Sequence, residues 1–190
     1  MKSQNAIYAQ SGGVTSVINA TASAVIEASR KSKKINKLYA GKDGIIGILN
    51  EELIDTSLEN SSDIKKLMHT PGGAFGSCRH KLKNVNQSKR EYERLIDVFK
   101  AHDIGYFFYN GGGDSQDTSN KIAQYTKDAG FPGTCIGIPK TIDNDLPYTD
   151  NCPGFGSVAK YIATSTKDCL LYTSDAADEG LGVDLGGRRI

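Results

Sequence analysis

Twice in this chain a short apolar run breaks into glycines and then resumes with helical periodicity. The first runs from Ala6 to Ala9 and passes through Gln10-Ser-Gly-Gly13. It continues with Val14, Val17, Ile18, Ala22, Val25 and Ile26 at helical spacing. The second runs from Ile104 to Tyr109 and passes through Asn110-Gly-Gly-Gly-Asp-Ser-Gln-Asp117. It enters a helix carrying Ile122, Ala123 and Tyr125. A strand that feeds a helix through glycines leaves backbone N–H groups free and points a helix dipole at the turn, which suits an anion. A plain tight turn satisfies the first loop equally well, and Asp114 or Ser115 in the second could serve only as a helix cap. Neither loop is of Walker type, which needs Gly-Lys-Ser/Thr at its end. Strands alternating with helices in this way predict a doubly wound α/β layer fold.

A third apolar run, Thr134 to Ile138, reads as a buried strand halted by Pro139. Lys140, Thr141, Ile142, Asp143 and Asp145 follow at once. Proline ends strand pairing and disfavours helix before it, so these residues fall on a loop at a strand's end. Open α/β sheets hold their ligands at such ends. One cation beside two carboxylates suits a reaction in which a carboxylate accepts a hydroxyl proton while charge moves on a phosphoryl group. The same residues also describe an ordinary polar surface loop.

Between these loops, Lys37 to Ala40 reads as a strand leading into a turn-rich region with Gly41, Gly44 and Gly47. Ser62 to His69 reads as a short helix capped by a serine. The loop Thr70 to Arg79 carries Gly72, Gly73 and Gly76, so its backbone can approach a ligand closely. Arg79 at its end has the guanidinium fork that clamps phosphate, or is a solvated surface charge. Ser88 to Ala101 is amphipathic, with Tyr92, Leu95, Ile96 and Phe99 on the core stripe. Phe155 to Thr166 gives a last helix.

Bulk composition narrows the partners. The 190 residues carry a formal net charge of +1, which gives no support for nucleic-acid or membrane-surface binding. No apolar stretch approaches the ~18 residues of a membrane span, and no signal-peptide pattern opens the chain. Cys78, Cys135, Cys152 and Cys169 have neither metal-ligand spacing nor disulfide-scaffold density, so a reducing cytoplasm is expected.

Taken together, Gln10-Ser-Gly-Gly13, Gly76-Ser-Cys-Arg79, Gly111-Gly-Gly-Asp-Ser115 and Pro139-Lys-Thr-Ile-Asp-Asn-Asp145 resemble the phosphofructokinase family in order and spacing, over residues 5–168. The resemblance implies phosphorylation of the 1-hydroxyl of fructose 6-phosphate, with ATP or inorganic pyrophosphate as donor, Mg2+ as cofactor and a homo-oligomer for the full-length protein. ATP users have glycine where this chain has Asp114 and Lys140; the pyrophosphate-dependent members have these two charges. A carboxylate at Asp114 would occupy the place of ATP's α-phosphate, and Lys140 would neutralise the phosphoryl group in flight. The resemblance further implies that Asp143 is the base and Asp145 its acidic neighbour. Thr141 and Ile142 would line the sugar-phosphate side, Arg79 would stabilise the transferring phosphate, and Gly12, Gly13 and Ser115 would receive pyrophosphate. An ATP-dependent member and a non-catalytic regulatory subunit are the alternatives. One position departs from the pattern: Gly113 stands where the family has an acidic or amide magnesium ligand. Asp114 or Asp145 takes over, or metal binding is weakened, or the glycine is a sequencing error.

After Asp168 the resemblance stops. Cys169 to Ile190 reads as the translation of a transposon-based sequencing adapter, matching on both sides of a short index at Gly180 and Leu181. The expectation is therefore a partial domain over 1–168, lacking the second α/β domain with its sugar-phosphate residues, followed by a non-native tail over 169–190.

Overall fold

Residues 4–10 put apolar side chains on both faces of one strand, which only a sheet covered on both sides can bury. In the computed structural model, which describes residues 3–178, this strand is β1 (Gln4–Gln10), and Ala6 to Ala9 are fully buried. It is followed by α1 (Ile18–Lys31), β2 (Ile35–Gly41), α2 (Ile45–Leu49), β3 (Leu53–Asp55) and α3 (Ser61–Lys66). The rest comprises α4 (Val85–Ala101), β4 (Ile104–Gly111), α5 (Gly113–Asp128), β5 (Thr134–Pro139) and α6 (Phe155–Asp178).

The five strands form one sheet in the order β3-β2-β1-β4-β5. β1 pairs in parallel with β2 and β4, and β4 with β5; β3 is antiparallel to β2. The chain winds outward from β1 on one side, then returns beside it as β4 and winds outward on the other. The reversal opens a crevice between the carboxyl ends of β1 and β4, the usual ligand position in such sheets. On one face Ile7, Ala9, Phe107 and Tyr109 pack against Tyr92, Leu95 and Phe99 of α4 and Ile122 of α5. On the other, Ala6 and Tyr8 pack against Ala22 and Ile26 of α1, with Ile64 and Phe75. The expected layer fold and the aromatic core stripe of α4 are both present.

Several local expectations differ from the structure. The periodic series that began at Val14 becomes helix only at Ile18, and Val14 is exposed on the pocket wall. The backbone before it is tied elsewhere, because the Gly12 N–H donates to the Cys78 carbonyl at 3.0 Å. α3 is capped by Asn60, not by a serine: the Asn60 side chain accepts from the Asp63 N–H at 2.8 Å. The turn-rich region after Gly41 contains α2 and returns as β3 against β2. β5 is the outer strand rather than a buried one. It has a partner on one side only, and Ile136 is exposed. Regular helix in α4 starts after Ser88, whose φ of −133° breaks the first turn. α6 extends past Thr166, so the boundary expected at Asp168 falls inside it; residues 179–190 of the expected tail lie outside the described residues.

Candidate active site

Four backbone segments meet at the carboxyl edge of the sheet and enclose a cavity of ≈ 510 Å³. The turn after β1 supplies Gly12 and Gly13. The glycine-rich loop before α4 supplies Arg79, and the first turn of α5 supplies Gly113, Asp114 and Ser115. The loop after β5 supplies Lys140, Thr141, Ile142, Asp143 and Asp145. The site residues that the resemblance implied all line this cavity, whereas Gly72, Gly73 and Gly76 of the glycine-rich loop and Asp117 do not.

Hydrogen bonds fix the segments against each other. Asn19 on α1 donates to the Thr70 carbonyl at 3.0 Å and accepts from the Ala74 N–H at 2.7 Å, pinning the glycine-rich loop to the helix. Ser77 Oγ donates to the Gly12 carbonyl at 2.6 Å, so the loop runs beside the end of β1. This brings the Arg79 guanidinium over Gly13, where a Cβ would lie 3.6 Å from Nη2. The Lys140 N–H donates to the Gly111 carbonyl at 3.0 Å, and the Thr141 N–H to the Pro153 carbonyl at 3.0 Å. Asn144, with φ of +55°, closes the last loop: its side chain accepts from the Cys152 N–H at 2.9 Å and donates to the Asp150 carbonyl at 3.2 Å. The backbone at Asp143 is held by its N–H, which donates to Thr141 Oγ1 at 3.1 Å.

The charges are of two kinds. Lys140 is only 5% exposed, and its ammonium donates to the Gly13 carbonyl. Burial holds its pKa below the ordinary lysine value, the Arg79 guanidinium lowers it further, and the Asp143 carboxylate opposes both. Asp114 is open to solvent and pairs with Lys81, Nζ to Oδ1 2.6 Å. Neither Asp114 nor Ser115 caps α5; the cap position is Gly112. Asp114, Lys140 and Asp143 thus share a cavity, but the cation on Asp114 is Lys81, which sequence reasoning missed. The signal was available as the basic run Arg79-His-Lys81 closing the glycine-rich loop. Gln10 and Asn110, named from the sequence only as the first residues of the two glycine motifs, are buried at the ends of β1 and β4. The amides of both donate to the Tyr8 hydroxyl beneath the cavity, at 3.4 and 2.9 Å.

The donor set bears on a metal. Among the described residues no group of three His, Cys, Asp or Glu side chains is arranged to hold an ion. Magnesium binds through one or two carboxylates together with phosphate oxygens and water, and Asp114 and Asp145 on this cavity fit that mode rather than an all-protein cage. At Gly113 an added Cβ would meet nothing within 4 Å, so the cavity has room for the side chain this position lacks.

The family model described as Phosphofructokinase matches residues 5–189. The chain is 62% identical over 172 residues to pyrophosphate–fructose 6-phosphate 1-phosphotransferase of Halomonas elongata, covering 90% of this chain and 41% of that protein. The enzyme of the same name from Methylococcus capsulatus is 59% identical over 169 residues, covering 88% and 40%. Among solved structures, pyrophosphate-dependent phosphofructokinase from Marinobacter aquaeolei superposes with a TM-score of 0.85 at 64% identity, covering 92% of this chain and 43% of that one. The chain thus spans about two fifths of the length of these relatives.

Proposed function

Since the chain belongs to the phosphofructokinase family, we propose that it is the phosphoryl-donor part of an enzyme that moves a phosphoryl group from pyrophosphate to the 1-hydroxyl of fructose 6-phosphate. The observation that carries this reading is the placement of Lys140. Lys140, nearly all of it buried, lines a glycine-lined cavity together with Asp114 and with Asp143, whose charge acts on the ammonium.

Asp143 accepts the proton of the sugar hydroxyl as its oxygen attacks phosphorus. Lys140 and Arg79 meet the negative charge on the phosphoryl oxygens, in a setting where burial strengthens the interaction. The backbone at Gly12 and Gly13 and the hydroxyl of Ser115 receive the pyrophosphate, whose negative charge also favours the amino end of α5. Thr141 and Ile142 face the sugar-phosphate side. Asp114 excludes the larger nucleotide by charge and bulk. Magnesium would be held by Asp114 and Asp145 with pyrophosphate oxygens, and when bound it neutralises charge on the donor.

Among the described residues no helix is long and apolar enough to cross a membrane. Cys78, Cys135 and Cys152 are free thiols, which suits a reducing cytoplasm, and the near-neutral charge fits small anionic substrates rather than nucleic acid. The full-length enzyme would be a homo-oligomer. Residues 169–190 would be an adapter-derived tail; resequencing the source gene across the Asp168 junction tests this, and a native continuation into the same residues would refute it.

The donor reading is tested by calorimetric titration of the 190-residue chain with magnesium pyrophosphate and with magnesium ATP. Pyrophosphate is expected to bind and ATP not to. Asp114→Gly is expected to improve ATP binding about tenfold, the scale of one charged contact. ATP binding by the parent chain at the strength of pyrophosphate would overturn the reading and favour an ATP-dependent enzyme.

A further inference from the structure

Asp114 poses a problem for its own role. A carboxylate on the wall of a cavity that takes a polyanion repels every polyanion, so until magnesium reaches it a bare Asp114 would disfavour pyrophosphate together with the nucleotide. The other cavity cations cluster at the turn after β1: the Lys140 ammonium donates to the Gly13 carbonyl, and the Arg79 guanidinium lies close to Gly13. Lys81 Nζ, by contrast, lies 2.6 Å from Asp114 Oδ1. Its backbone is anchored, because the next residue, Leu82, is fully buried in the core beneath α4.

From this geometry we propose that Lys81 is a positioning residue for donor specificity, cancelling the charge of Asp114 toward pyrophosphate while holding the carboxylate in the nucleotide's path. The inference rests on the pyrophosphate reading above. The pair has side-chain exposures of 59% and 75%, so it contributes little to folding stability. Its effect falls on the incoming anion. The neighbouring Asp117 pairs with Lys121 at 2.7 Å and acts on Lys81 only as a weaker, more distant charge than Asp114.

The test is calorimetric titration of the 190-residue chain and three variants with magnesium-free pyrophosphate at low salt, the parent also with magnesium, each variant first checked for an unchanged Tm. Lys81→Met is expected to weaken binding about threefold to tenfold, the range for a solvent-exposed charge facing a multiply charged anion. Lys81→Arg is expected to bind like the parent. The double variant Lys81→Met/Asp114→Asn is expected to recover most of the lost affinity, and the Lys81→Met defect is expected to shrink at high salt. A double variant as weak as Lys81→Met would show Lys81 acting directly on pyrophosphate and would overturn the proposal. Unchanged binding in Lys81→Met would overturn it while leaving the donor reading intact. A parent chain that takes no pyrophosphate would overturn the donor reading and this inference with it.

Discussion

Burial disfavours the charged form of Lys140, so the unfolded chain binds a proton more readily at this position than the folded one does. The resulting penalty on folding is fully present at neutral pH and is relieved only as pH rises past the lowered folded value toward the ordinary 10.5. Lys140→Met is therefore expected to raise the Tm of the ligand-free chain at pH 7, with the gain fading on the alkaline side. The same substitution should cost pyrophosphate binding about tenfold to a hundredfold, as for a charge-assisted contact. Thermal scans from pH 7 to pH 10 with parallel titrations check both, and a lower Tm for the variant at pH 7 would contradict the assignment. Gly113 gives the opposite case. Its open surroundings and its place in the first turn of α5 should tolerate an acid. Gly113→Asp is expected to hold or raise Tm by up to about 1 kcal/mol equivalent and to tighten magnesium-pyrophosphate binding.

Elements carry the site through their contacts, and here the sequence was only partly legible. Apolar periodicity marks β1, α4 and β4 because long buried faces leave a strong local signal. It does not mark β3, since three residues, Leu53–Asp55, pair with β2 through a register that no local pattern encodes. It cannot tell an outer strand from an inner one, so Thr134 to Ile138 looked buried. The motif residues of the cavity were readable because they follow strand ends or, for Arg79, close a glycine-rich loop. Lys81 was marked only by the basic run Arg79-His-Lys81, and its pairing with Asp114 was not, because the two belong to different elements. Asn19 belongs to the unreadable class as well: a polar residue on the inner face of α1, it holds the loop that delivers Arg79. Asn19→Ala is expected to cost about 1–2 kcal/mol and to increase proteolytic cleavage within residues 70–79, measured by denaturant unfolding and limited digestion.

At the scale of the whole molecule, the described residues present an open sheet edge at β5 and an apolar surface on α6, where Tyr161 is 72% exposed beside Ile162. Open edges and exposed apolar side chains promote association between chains. The 190-residue chain is expected to self-associate at micromolar concentration, and Ile136→Lys on the outer strand to reduce this in sedimentation with a Tm change within about 0.5 kcal/mol equivalent. The 190 residues span about two fifths of the length of the relatives they match, and positioning supplies much of the rate in phosphoryl transfer. Pyrophosphate-dependent turnover by this polypeptide is therefore expected to be negligible in a coupled assay.

The hydrogen bond from the Lys140 ammonium to the Gly13 carbonyl joins residues 127 apart in the chain. A nascent polypeptide could thus have emerged through both of its first two glycine turns and still own no receptor for an anion. The receptor comes into being only when β5 docks beside β4, so anion capture reports that β1, β4 and β5 have found their register.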